Sequence, residues 1–169
     1  MAIDMAIGVG LYTEPKQEAR ISNGNSFINP LLFAINGITG GALEKRLYVG
    51  TNDEVNAYLG PDGTLAGDGI EISITDGSGI AKGTTADWIW KIRAGDEQPT
   101  ISEWQGVIAG AKINVPPLYN LFNSGDGGLM TYHPFWLRIE VPALANIKMY
   151  TETKLKITAT RMDVGWYTS

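Results

Sequence analysis

Cysteine is absent from the chain of 169 residues, and histidine occurs once, at His133. Without cysteine there are no disulfides, no thiolate nucleophiles and no Cys-ligated zinc. A single histidine also excludes a metal site built from several imidazoles. No stretch approaches the roughly 18 consecutive apolar residues of a membrane-spanning helix. We therefore expect no membrane-spanning segment.

Positive charge is scarce and scattered. The chain has 13 Lys and Arg against 18 Asp and Glu, a formal net charge of −5. Basic residues lie close together in pairs, as at Lys45-Arg46 and at Lys154 and Lys156, and form no larger cluster. Proteins that bind nucleic acids need clustered Lys and Arg to neutralise phosphates. We therefore expect no nucleic-acid partner.

Glycine, in contrast, is abundant, with 21 residues placed between short apolar runs. Several runs alternate apolar and polar residues, which is the pattern of half-buried strands. The side chains predicted to face inward are Leu47, Val49, Ile70, Ile72, Ile74, Trp88, Trp90, Ile92, Phe135, Leu137, Ile139, Val141, Leu155, Ile157 and Ala159. Short strands joined by Gly, Asp and Pro turns predict an all-β fold, a β-sandwich or small β-barrel of the Ig-like or jelly-roll type.

One segment has the spacing of a helix. Thr100 and Glu103 form a capping-box pair after Pro99, and apolar residues follow at helical spacing as far as Gly110. A capping box satisfies the first free N–H groups of a helix. The pattern predicts one short helix over 100–110 that covers an end of the sheet.

The first twelve residues, MAIDMAIGVGLY, alternate as a strand does, with apolar residues at Ile3, Met5, Ile7, Val9 and Leu11. They contain no Lys or Arg, and Asp4 interrupts the apolar run, so a signal peptide is disfavoured. Gly8-x-Gly10 does not fit a phosphate loop, because no third glycine or helix follows.

The polar residues 13–30, which follow this alternating segment, are interpreted as a connector. We predict an extended N-terminal arm and connector at 1–30, a β-sandwich domain at 31–164 and a tail at 165–169. The arm would pair with the sheet edge of a neighbouring subunit.

Candidate catalytic and metal-binding residues each have a simpler structural interpretation. His133 has no G-x-S-x-G nucleophile motif to serve, so packing at the sheet edge is favoured. Glu97 and Glu103 are not placed across a cleft by any pattern in the sequence. The loop acids Asp62, Asp68, Asp76 and Asp126 suit Asp-Gly turns, with a weak calcium site left open. We predict no catalytic residue, no cofactor and no metal, and an enzyme is the least favoured class.

Five tryptophans remain to be explained. Trp88, Trp90 and Trp104 share apolar faces and are predicted to be buried. Trp136 points opposite to Phe135 and Leu137, and Trp166 stands beside Tyr167 in the tail. These last three aromatic residues, Trp136, Trp166 and Tyr167, are predicted to anchor an interface, together with the arm. Exposed tryptophans also stack on sugars, so a carbohydrate-binding module is an alternative.

Four stretches occur in this order: LEKRLYVGTND at 43–53, WKIRAGDEQPTISEW at 90–104, HPFWLRIEVP at 133–142 and TETKLKITATRMDV at 151–164. Together they resemble small all-β structural proteins of tailed-bacteriophage virions, over roughly residues 40 to 162. The chain departs from that pattern at Gly50, where arginine is more usual. The resemblance implies a virion component without catalytic residues.

The predicted function is therefore that of a capsid decoration (cement) protein, located in the virion after assembly in the host cytoplasm. Its partners would be the major capsid protein or other virion subunits, and further copies of itself in a homo-oligomer, with a trimer preferred. A neck, collar or tail-baseplate accessory is the alternative within the virion.

Overall fold

The computed structural model describes residues 2–5, 8–22, 31, 33–51, 56–59, 69–75, 89–104, 112–118, 132–144 and 154–163. Within these ranges the chain is mostly β-strand, which confirms the all-β prediction. The strands are Ala2–Met5 (β1), Val9–Tyr12 (β2), Arg20–Ser22 (β3), Gly41–Thr51 (β4), Asn56–Leu59 (β5), Ile70–Thr75 (β6), Ile89–Ala94 (β7), Lys112–Val115 (β8), Tyr132–Val141 (β9), Lys154–Thr158 (β10) and Thr160–Asp163 (β11). In the described part, no helix has the length and apolar character needed to cross a membrane.

The strands of the described ranges form three sheets. A four-stranded sheet has the order β1-β10-β6-β8, a five-stranded sheet the order β3-β2-β4-β9-β7, and β11 pairs with β5. The longest ladder joins β4 to β9, from Gly41 opposite Val141 to Gly50 opposite Tyr132. Strand pairing is antiparallel among the described residues except between β1 and β10. The architecture is β-sandwich-like.

The hydrophobic core contains side chains from both larger sheets. Ile72 and Ile74 of β6 belong to the same buried cluster as Leu137 and Ile139 of β9. Most of the predicted inward residues lie in it: Leu47, Val49, Ile70, Ile72, Ile74, Trp90, Ile92, Phe135, Leu137, Ile139, Val141, Leu155 and Ile157. Each fully buried aliphatic side chain contributes about 1.5–3 kcal/mol of transfer free energy, so this cluster holds the two sheets together. Ala159 packs against the cluster, and Trp88 lies outside the described residues.

The N-terminal segment belongs to the sheets of its own chain. β2 pairs with β4, and β3 pairs with β2, inside the five-stranded sheet. Val9 and Leu11 have no exposed surface and lie in the core cluster. The prediction that residues 1–30 form a separate arm and connector is therefore wrong for β2 and β3, because their side chains complete the core of this chain. β1 pairs with β10 of the same chain.

The capping pair at residues 100–103 is present, but it closes a turn. The Thr100 N–H donates to the Glu103 carboxylate at 2.8 Å, and the Glu103 N–H donates to the Thr100 carbonyl oxygen at 3.0 Å. Residues 101–104 form turns and bends, and the rest of the predicted helix lies outside the described residues. A capping pair needs only one turn of chain, so it does not by itself propagate a helix. Helical geometry in the described part is limited to a 3-10 turn at Gln17–Ala19.

Candidate interaction surface

The candidate site is the outer face of the five-stranded sheet, on the side away from the core. Alternate residues of a strand point to opposite faces, and cross-strand partners share a face. The register therefore lines up three residues in each of two rows across β4, β9 and β7. The rows are Glu44, Arg138 and Lys91, and next to it Arg46, Trp136 and Arg93. The outward direction predicted for Trp136, Arg138 and Glu140 is confirmed.

An ionic network crosslinks the first row. Arg138 donates to Glu44 through Nη1 and to Glu140 through Nε at 2.6 Å, and the Lys91 ammonium lies 2.9 Å from the same Glu140 oxygen. Burial alone would raise the pKa of Glu140, but the hydrogen bonds from Lys91 and Arg138 outweigh it and hold that pKa below its ordinary value. These four side chains are mostly buried, so the network is less screened by solvent than an exposed ion pair.

The loop at residues 95–104 folds over this face. Gly95 turns the chain at φ +118°, and its N–H donates to the Pro134 carbonyl oxygen at 3.1 Å. Gln98 then donates to the Glu44 carboxylate at 2.6 Å. Trp104 is buried, as predicted, but its ring lies 5.9 Å from the Arg138 guanidinium rather than in the core cluster. The loop leaves an open cleft of about 430 Å³ beside Arg93.

The second row, together with the neighbouring buried residue Tyr48 of β4, forms what we call the arginine–aromatic patch: Arg46, Tyr48, Arg93 and Trp136. The Arg46 guanidinium carbon lies 5.6 Å from the centre of the Tyr48 ring and 6.0 Å from that of the Trp136 ring. Asp96 fixes both partners: its carboxylate pairs with Arg46 at 2.9 Å, and its carbonyl oxygen accepts from the Trp136 indole at 3.1 Å. The patch is thus held in place before any partner binds.

Two glycines and two tyrosines form the other end of this face. Gly10 and Gly50 are cross-strand partners, and a Cβ on Gly50 would lie 2.6 Å from the Tyr132 ring. The Tyr12 and Tyr132 rings meet edge to face at 5.1 Å. Gln17 accepts from the Tyr12 hydroxyl at 3.3 Å and donates to the Tyr132 hydroxyl at 2.7 Å. Gly50 is therefore explained by the space that the Tyr132 ring needs.

His133 lies on the opposite, inward face of β9. Its Nε2 is 2.9 Å from the Pro117 carbonyl oxygen, in the segment that follows β8. Burial lowers the pKa of His133, and the bond to Pro117 offsets part of that shift. The ring therefore links the five-stranded sheet to the segment after a strand of the other sheet, and it does so from within β9, which lies between β4 and β7, rather than from the sheet edge.

The predicted interface residues have different outcomes. Trp136 is half-buried and lies on the outer face, while Val9 and Leu11 are in the core, so the interface prediction is wrong for those two. Ile3 and Met5 lie in β1, where the interface role stays a prediction. Other candidates lie outside the described residues: Ile7, Trp166, Tyr167, Asp62, Asp68, Asp76 and Asp126.

Arg46, Arg93 and Asp96 are functional candidates that the sequence reading missed. The alternation in 43–50 already placed Arg46 on the outward face beside Tyr48, and that signal could have found it. Asp96 gave no such signal, because its role depends on where its loop folds.

Among the described residues, no group of three or more acidic or histidine side chains is placed to hold a metal ion.

The site is therefore a rigid surface of charged and aromatic side chains on three neighbouring strands and one loop.

The chain was also compared with known proteins. No protein-family model, no curated protein and no solved structure matches it.

Proposed function

We propose that the protein is a structural component of a tailed-bacteriophage virion, a decoration protein that binds the capsid shell through the arginine–aromatic patch. One observation carries the proposal. Three of the four stretches that resemble virion proteins, 43–53, 90–104 and 133–142, supply β4, β7 with its following loop, and β9. These strands are neighbours in one sheet, so residues far apart in sequence form a single surface.

The residue types of the patch support a protein partner. Tryptophan, tyrosine and arginine are enriched among the few residues that dominate the binding energy of protein interfaces. Ordering flexible side chains is one of the main costs of binding, and the bonds from Asp96 have already ordered Arg46 and Trp136. Arg46 is already paired with Asp96 at 2.9 Å and Arg93 with Glu103 at 3.7 Å, so each guanidinium offers a partner only its remaining N–H donors, which suit a carbonyl or carboxylate oxygen.

Such a contact stabilises a shell by mass action. A protein that binds the assembled shell, and binds its separated subunits less well, shifts the equilibrium toward assembly. The paired strands β4 and β9 suit this role, because their ladder of ten residue pairs holds the patch on a rigid base. Contact over a standard interface buries about 800 Å² on each partner.

Binding of the purified protein to virions that lack it tests the proposal. Trp136→Ala removes the aromatic anchor and Arg46→Ala the cation, and each is expected to weaken binding at least about tenfold. Arg161→Ala is the matched control, since Arg161 is an exposed arginine on β11, outside the patch. Thermal unfolding checks that the variants fold. Unchanged binding by both patch variants would show that the patch is not the contact.

The same surface chemistry would also serve a neck, collar or baseplate component, and the place of binding separates these options. Labelled protein on the head shell supports decoration, whereas label confined to the neck or tail assigns the protein there. Binding of a polysaccharide that Trp136→Ala abolishes, without any binding to virions, would replace the proposal with a carbohydrate-binding role.

A further inference from the structure

One side of β4 is only partly paired. On its first side β4 pairs with β9 from Gly41 to Gly50. On its second side β2 pairs only with Tyr48 to Thr51. Among the described strands, none pairs with residues 41–47 on that second side, which we call the open edge of β4. Seven residues are enough for a strand of ordinary length to lie alongside.

One hydrogen bond fixes the direction of the backbone groups in this sheet. The Gly95 N–H donates to the Pro134 carbonyl oxygen, so Pro134 bonds toward β7. In an antiparallel pair every second residue exchanges backbone bonds with its partner, and the residues between them point to the other side. Phe135, Leu137 and Ile139 of β9 therefore bond toward β4.

The same alternation identifies the backbone groups at the open edge. The register partners of those three β9 residues are Leu47, Lys45 and Leu43, whose backbone groups bond to β9. The N–H and C=O groups of Ala42, Glu44 and Arg46 therefore face the open edge. In the part of the chain that the structure describes, these three residues have no backbone partner on that side.

The described residues before β4 do not cover this edge. Residues 33–36 form no strand. The Phe33 ring meets that of Trp90 edge to face at 6.2 Å and lies 4.8 Å from the Lys45 ammonium. Trp90 belongs to the core cluster and lies on β7, two strands away from β4. The segment therefore crosses the core face of the sheet and does not lie alongside β4.

The open edge also lacks the features that usually block strand addition. Proteins protect their sheet edges with proline, with β-bulges or with charged side chains along the edge. Residues 41–47 contain no proline, and their register with β9 is constant. The side chains of Glu44 and Arg46 are held on the outer face by Arg138 and Asp96. The edge is thus free of a proline, a bulge and an unpaired charge at those two positions.

We propose that an extended segment of the shell subunit adds to the sheet as a further strand along the open edge of β4. The inference rests on the proposed function, since it concerns how the same partner is bound. The open edge is continuous with the arginine–aromatic patch, because Arg46 and Tyr48 lie on the same strand. In strand addition, main-chain hydrogen bonds supply affinity, and contacts to alternate side chains supply specificity.

The two faces of β4 indicate which side chains the segment carries. Cross-strand partners share a face of the sheet. The remaining N–H donors of Arg46 suit a carboxylate or amide oxygen opposite it on the outer face. Leu43 is 36% exposed at the core side, so an apolar side chain opposite it extends the core. The expected segment therefore has oxygen-bearing side chains on one face and apolar ones on the other.

Hydrogen exchange at single residues tests the proposal. The protein is bound to virions that lack it, exposed to D₂O, released and analysed by mass spectrometry, in parallel with the free protein. In the free protein the amides of Ala42, Glu44 and Arg46 are expected to exchange quickly, and on binding they should slow by about tenfold or more. The amides of Leu43 and Lys45 are the internal control, since they bond to β9 in both states.

Each outcome bears on a different claim. Slower exchange of the three edge amides on binding supports strand addition. Unchanged exchange in the bound protein overturns this inference and leaves the proposed function standing. Failure of the wild-type protein to bind virions overturns the proposed function, and this inference with it. Protection already present in the free protein also overturns the inference, because the edge is then covered without a shell subunit.

A matched pair of substitutions acts on the backbone at the open edge. Ala42→Pro removes an N–H that faces the edge, and a strand tolerates proline where its N–H faces solvent. Ala42→Val keeps that N–H and is the control. Ala42→Pro is expected to weaken binding to virions about fivefold, as the loss of one hydrogen bond does, whereas Ala42→Val should bind as the wild type does. Equal binding by both variants, each folded in thermal unfolding, overturns the proposal; if Ala42→Pro does not fold, the exchange experiment decides.

Discussion

Replacing Gly50 with alanine tests how the outer face is built. The added Cβ would lie 2.6 and 2.9 Å from two carbons of the Tyr132 ring and 3.2 Å from the Tyr12 ring. Real Cβ contacts are longer than the first two distances, so the Tyr132 ring must move. Moving it forfeits the edge-to-face pair with Tyr12, about 0.5–1.5 kcal/mol, and the bond from Gln17, about 1 kcal/mol.

Part of this loss is offset, because alanine is about 0.5–1 kcal/mol better than glycine within a strand. We therefore expect Gly50→Ala to lower the free energy of unfolding by about 0.5–2 kcal/mol, or the Tm by a few degrees. The assay is urea unfolding of the wild-type protein, Gly50→Ala, Tyr132→Ala and the double variant. In the Tyr132→Ala background the same change should be neutral or stabilising by up to about 1 kcal/mol, since the obstructing ring is gone. Equal losses in both backgrounds would refute this explanation of Gly50.

Further predictions concern three other groups. Glu140→Gln is expected to lower stability by about 1–3 kcal/mol at pH 7 by weakening the bonds from Lys91 and Arg138. Because the pKa of Glu140 is lowered in the fold, its contribution is present above the ordinary Glu pKa of about 4.3 and is lost as pH falls through the lowered pKa. The wild-type protein and Glu140→Gln should therefore begin to converge in urea unfolding as pH falls below about 4.3, and a constant difference contradicts this. The pKa of His133 is lowered in the fold, so protonation favours the unfolded chain and stability falls as pH drops below about 6.5. His133→Gln should remove this pH dependence. An NMR titration that shows an ordinary or raised pKa for His133 would contradict the prediction. Leu144 is exposed and has a backbone φ of +61°. Leu144→Gly should therefore raise the stability measured by thermal unfolding by up to about 1 kcal/mol. A clear loss of stability would mean that the exposed side chain stabilises the fold.

The alternating pattern predicted strands and core residues well. In Ile70–Thr75 and Tyr132–Val141, each predicted inward residue that is described is buried. Period-two alternation records which face of a strand is dry, and that is a local property. The outward direction of Trp136 followed from the same rule.

Strand partners could not be predicted in this way. The alternation of residues 3–11 is continuous, yet β1 and β2 lie in different sheets. Pairing depends on which edges are open in the folded chain, and nothing local to the segment records that. The polar residues that follow β2 therefore suggest a connector behind a separate arm, whereas in the fold β2 and β3 are strands whose side chains lie in the core.

The rest of the candidate surface depends on residues distant in sequence. Gly50 is explained by Tyr132, and Asp96 acts only because its loop returns over β4 and β9. The capping pair Thr100 and Glu103 was read correctly from local spacing, but the same bonds serve a turn. One sequence contains both residues of each such contact, but it does not show that they lie close together in the fold.

The most direct test of the proposed virion role is the amount of this protein in purified virions of the phage that, under the proposal, encodes it. Quantitative mass spectrometry against the major shell subunit measures that ratio. The proposal predicts amounts comparable with the shell subunit, as decoration of a repeated lattice requires. Absence from the particles, or only a few copies in each, would contradict it.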